Sequence, residues 1–157
     1  CLTQACQIVT EVFKFRGVPM QQASAVALTG FIGWTLALLV LMELLRTRLV
    51  VLGKTPPNAF RPDNANLSPF MQRLARAHAN CVESLPVFGG LLLVAMVTGH
   101  TDRTDPLAFI LLAARVLQSS VHLASLSAAA VSVRFSLFVV QLGIAVYWTI
   151  QLLQALI

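Results

Sequence analysis

The residues of this chain whose types could do chemistry are arginines set inside apolar segments. Arg73, Arg76, Asn80 and Glu83 follow one another at spacings of three, four and three. A helix turning about 100° per residue gathers them into an arc of about 80°. Arg115, Gln118, Ser119 and His122 repeat the device, and Arg134 opens a third stripe continued by Phe138 and Gln141. A guanidinium grips a carboxylate with two parallel N–H donors. The chemistry in view is recognition of an anion.

The elements that must carry these stripes follow from composition. Of 157 residues, 57% are hydrophobic and 11% charged, with a mean hydropathy of +0.80. A soluble globule of this size could not hide so much apolar surface, and a disordered chain would not contain it. The apolar runs lack the alternation of an outer-membrane barrel, so the spans must be helices, which satisfy their own backbone in lipid. The net charge of +5 lies beside apolar spans, which points to membrane orientation and anionic ligands and away from nucleic acid. Cys1, Cys6 and Cys81 are too few and scattered for a disulfide framework or a metal site.

Residues 1–22 read as a tail or interfacial segment, because Glu11, Lys14 and Arg16 interrupt any signal-peptide core. A single domain then covers 23–157, with spans at about 23–48, 68–99, 105–130 and 133–157. Ser68 and Pro69 make a helix start of cap and first-turn proline, and Asp105 and Pro106 repeat it. Tyr147 and Trp148 read as interfacial aromatics. The segment 53–67, with Pro56, Pro57 and Pro62, is a loop, either an ordered lip of the site or a mobile cover that tolerates substitution. Arginines and a lysine crowd around it, so positive-inside bias places this loop in the cytoplasm.

An arginine at mid-span costs about 2.5–3.5 kcal/mol and is kept for a partner or a wet cavity. Glu83 is expected to pair with Arg76 or Arg115, since buried ions are usually partnered. One acid cannot serve Arg73, Arg76, Arg115 and Arg134, which leaves room for a multiply anionic ligand. His78 points away from Arg76 and reads as a hydrogen-bonder between helices, and Cys81 as a buried free thiol.

The segment Ser68 to Phe88, SPFMQRLARAHANCVESLPVF, resembles the signature of the MAPEG family, membrane-associated proteins in eicosanoid and glutathione metabolism. The arginine, asparagine, glutamate, proline and aromatic of that pattern stand here as Arg76, Asn80, Glu83, Pro86 and Phe88. Arg115 in ARVLQSSVH and Arg134 match the later arginines, and the likeness covers about 24–157. It resembles the microsomal glutathione transferase and prostaglandin E synthase-like members, of a bacterial type. The resemblance implies an all-α integral membrane four-helix bundle that assembles as a homotrimer, in the bacterial inner membrane. It also implies glutathione as cofactor at the subunit seams. Arg73, Arg76 and Arg115 would take its carboxylates and Glu83 its amine, with Asn80, Gln118, Ser119 and His122 completing the binding set. Arg134 would be the catalytic residue beside the sulfur, and Arg46 or Arg48 would close the site from a neighbour. Two positions depart from the pattern: His122 stands where the synthases commonly have tyrosine, and Phe135 follows Arg134 in place of a serine.

The expected function is a membrane glutathione-dependent transferase or peroxidase acting on a lipophilic electrophile. The alternatives are a non-catalytic lipid-binding or scaffold member of the family and a small anion carrier.

Overall fold

Four helices make up most of residues 22–157, the part of the chain that the computed structural model describes: α1 (Ala23–Val51), α2 (Pro69–Thr98), α3 (Asp105–Ala124) and α4 (Ala128–Leu156). The reading of the amino-terminal segment as a tail falls outside the described residues. No strand occurs among them, and each helix is long and apolar enough to cross a membrane. The chain is an all-α four-helix membrane bundle and a multi-pass integral membrane protein.

α1 packs along α2 and α3, α3 along α4, and α2 meets α4 over a shorter stretch. Two glycines set the closeness of α1. A Cβ on Gly30 would lie 2.7 Å from a Leu112 methyl, and one on Gly89 would lie 3.0 Å from a Leu28 methyl. Small residues at such crossings let membrane helices approach. Phe31, beside Gly30, is consequently driven into the centre of the bundle with Leu74, Leu92, Leu111 and Trp148. Leucines, valines and isoleucines on the outer faces stay exposed, as a lipid-facing surface requires.

The helix ends show how local chemistry sets the boundaries. Ser68 caps α2 by accepting the Met71 N–H, with Pro69 in the first turn, and Gly99 closes the helix at φ 75°. The third span ends at Ala124, well before 130, and the fourth begins at Ala128 instead of 133. The intervening residues 125–127 contain neither glycine nor proline, so hydropathy runs across them. Serine chemistry makes the break, because the Ser127 hydroxyl accepts the Ala130 N–H and its own N–H reaches Ser125 Oγ at 3.1 Å. Asp105 does not cap its own helix. Its Oδ1 accepts the Ser24 N–H at 2.8 Å and the Ser24 hydroxyl at 2.6 Å, so α3 supplies the cap that α1 lacks. Trp148 is wholly buried in the core whereas Tyr147 is exposed, so of the two only Tyr147 lies on the surface.

The loop between α1 and α2 is no loose cover. Asn64 is fully buried with φ 54°. Its Oδ1 accepts from Arg46 Nε at 3.0 Å and Nη2 at 2.6 Å, and its Nδ2 donates to the Met71 carbonyl at 3.0 Å. Arg46 also donates to the Arg61 carbonyl, pairs with Glu43 and stacks 5.6 Å over Phe60. This side chain therefore ties the end of α1 to the loop and the start of α2. Asn64→Ala should lower stability by about 2–4 kcal/mol, since it removes charge-assisted bonds and loses the tolerance of the left-handed region that asparagine has over alanine. Asn64→Gly should regain only the backbone part, about 1 kcal/mol. Denaturation in detergent measures both; equal stability of wild type and Asn64→Ala would show that the loop is peripheral.

Candidate functional site

A cavity of about 430 Å³ opens between α2, α3 and α4. Asn80, Glu83, Ser84, Arg115 and Gln118 form its polar wall, and Val87, Phe88, Phe138 and Leu142 its apolar wall. One chamber thus offers ionic recognition on one side and a greasy surface on the other. A second cleft, also about 430 Å³, lies at the opposite end of the bundle beside Asp102, Arg103 and Tyr147 and holds none of the expected residues.

Arg115 stands at the middle of α3 and is 2% exposed. Its guanidinium lies 5.3 Å from the centre of the Phe31 ring and 5.4 Å from that of Phe88. Nη1 donates weakly to the Asn80 carbonyl at 3.5 Å and the Cys81 thiol lies against the guanidinium, while Nε and Nη2 make no geometrically good hydrogen bond to a described residue. A buried cation with free donors is normally too costly to keep unless something anionic meets it. The expected ion pair with Glu83 does not form: Glu83 is exposed, and no salt bridge involves it among the described residues. Three residues separate Glu83 from Asn80, whose backbone carbonyl meets Arg115, and that spacing puts the carboxylate on the cavity rim.

The other candidate arginines, Arg73, Arg76 and Arg134, stand toward the end of the bundle that carries the 53–67 loop. Arg134, Arg76 and Arg73 all lie near His122, a buried residue whose Nδ1 has no hydrogen-bond partner among the described residues. Arg73 is partly committed, because its Nε donates to the Leu123 carbonyl at 3.0 Å, at the last turn of α3 where backbone carbonyls are unsatisfied. Arg76 is exposed and Arg134 half-buried, and neither makes an ion pair among the described residues. Arg48 is exposed as well, whereas Arg46 is held by the loop, so of the two only Arg48 is free to reach a neighbour.

The structure brings Asn80, Glu83, Arg115 and Gln118 into one chamber, while Arg76, His122 and Arg134, with Arg73 near them, stand one helical turn from its lining toward the 53–67 loop. Ser119 faces elsewhere: its hydroxyl donates to the Arg115 carbonyl at 2.9 Å and lies 3.4 Å from Cys81 Sγ. Cys81 is buried, as its surroundings on the helix suggest. Gln118 Oε1 accepts from Gln141 Nε2 at 3.0 Å, which fixes the amide from α4. His78 makes no side-chain hydrogen bond to a described residue. Spacing alone did not find Ser84, Val87, Leu142 or Phe31. Ser84 could have been found, since it sits four residues after Asn80 and donates to its carbonyl at 2.5 Å, the usual back-bond of a helical serine.

Residues that could hold a metal do not cluster among the described residues. The MAPEG family model matches residues 24–154. No curated protein and no solved structure gives a match. The match spans all four helices, the Arg76, Asn80 and Glu83 pattern on α2, and both later arginines, so this chain belongs to the MAPEG family.

Proposed function

We propose that the protein is a membrane glutathione-dependent transferase or peroxidase that acts on a lipophilic electrophile. Family membership supports a glutathione-related function in the membrane. The observation that carries the finer reading is Arg115, a buried cation that makes no ion pair among the described residues and lines a chamber that is apolar on its other side. Glutathione fits this donor set: two carboxylates suit Arg115 and the Arg73 and Arg76 pair, and the ammonium suits the exposed Glu83. When bound, glutathione would supply a nucleophilic thiol. Arg134 would hold negative charge at the sulfur, His122 and Gln118 would orient the ligand, and Phe138 and Leu142 would exclude water and admit an apolar partner.

The test is calorimetry of glutathione on detergent-purified protein, followed by turnover with chlorodinitrobenzene and with a lipid hydroperoxide. Saturable binding and turnover are expected, and binding without turnover would favour the lipid-binding scaffold. We place the protein in a bacterial inner membrane with the 53–67 loop in the cytoplasm. The exposed charges Arg76, Glu83 and Arg48 support assembly as a homotrimer whose seams cover them. Mass measurement of the detergent complex should give three chains, and a monomer that binds glutathione would exclude that assembly.

A further inference from the structure

We infer that Phe31, which lies outside the cavity lining, is a positioning residue for the anion site, and that it acts through Arg115. The two rings of Phe31 and Phe88 stand 6.5 Å apart at a 31° tilt, each with its centre close to the Arg115 guanidinium. Phe31 is 0% exposed and Phe88 2% exposed, so water does not compete for the cation on these sides. The negative face of an aromatic ring attracts a cation most strongly when both are dry. Here the rings take the place that a carboxylate counter-ion would occupy. A carboxylate there would neutralise Arg115 and close the site to an anionic ligand; a pair of rings holds the charge and leaves Nε and Nη2 unbonded.

Placement of the clamp is built into the backbone. Gly30 lets α1 approach Leu112 on α3, one turn of helix from Arg115, and Gly89 lets α2 approach Leu28 on α1. The residues beside these two glycines are Phe31 and Phe88. The same close crossings that pack the bundle therefore deliver one ring from α1 and one from α2 to the guanidinium.

This inference rests on the proposed glutathione site, and its test separates the two. Phe31 is replaced by mono-, di- and trifluorophenylalanine, which drain the ring's negative face with little change in volume. The series is made in the wild type and in Arg115→Gln. Glutathione affinity should fall stepwise with fluorination, to about tenfold for the trifluoro ring, and thermal stability should fall in parallel. In Arg115→Gln, where little glutathione affinity is left to follow, the stability trend should be flat. A flat series in the wild type, or equal trends in the two backgrounds, would overturn the inference and leave Phe31 as packing. Should the wild type bind no glutathione, the proposed function fails, and the stability series alone decides: a trend that needs Arg115 upholds the clamp, and its absence removes it.

Discussion

Arg115→Met should leave the ligand-free protein as stable as before, or up to about 2 kcal/mol more stable, while removing most of its glutathione affinity. The two effects have opposite signs because the guanidinium is buried with free donors. Exchanging a buried ion for an apolar side chain of similar length is often neutral or stabilising, and the loss of the contacts to Phe31 and Phe88 offsets part of that gain. A bound carboxylate, by contrast, loses a desolvated charge partner, which costs about 2–5 kcal/mol, or thirtyfold and more in affinity. Melting in detergent and calorimetry read the two separately. A methionine variant that binds glutathione as tightly as wild type would take Arg115 out of the site. The site residue is then a case of function kept at the expense of stability.

Arg134→Ala should act on the reaction more than on binding. Arg134 is half-buried near the start of α4, makes no ion pair among the described residues, and shares its field at His122 with Arg73 and Arg76. A fixed cation at the sulfur lowers the thiol pKa, so its removal should raise that pKa and move the rate profile toward higher pH. Turnover should fall by about 10²–10³, the usual loss when one donor to a developing anion is deleted. Glutathione affinity should stay within about tenfold, because Arg115 and Arg76 remain. Thiolate absorbance near 240 nm across a pH series follows the titration directly. An unchanged titration with an unchanged rate would make Arg134 an anchor of the fourth helix at the membrane surface.

Much of this arrangement can be read from residue order, and the gaps have physical causes. Runs of apolar residues reveal spans because lipid leaves no alternative, and Ser68, Pro69 and Gly99 mark both ends of α2 by local chemistry alone. The α3 to α4 boundary escapes the same reading, since three residues with serine caps make the turn without disturbing hydropathy. The stripe on α2 identifies Asn80 and Glu83 because helical periodicity is intrinsic to one element. Phe31 is invisible to that method: nothing in α1 marks it as different from its apolar neighbours, and its role exists only where three helices meet. Glu83 misleads for the converse reason. Its charge suggests a partner within the chain, but the rotation of α2 leaves it exposed. For the loop the sequence leaves an ordered lip and a mobile cover both open, because its prolines advertise irregularity and nothing marks Asn64 as one of the most buried residues.

The bond from Asp105 to Ser24 spans 81 positions, and it constrains the order of biogenesis. While the first two spans are being inserted, the Ser24 N–H at the leading end of α1 has no Asp105 carboxylate to meet it. Only when the turn before α3 emerges does Asp105 arrive, with Thr104 beside the same serine hydroxyl at 2.7 Å. The first turn of α1 thus gains this cap only once the third span has been started. A nascent chain arrested after α2 should leave that turn more accessible to exchange or cleavage than it is in the full chain.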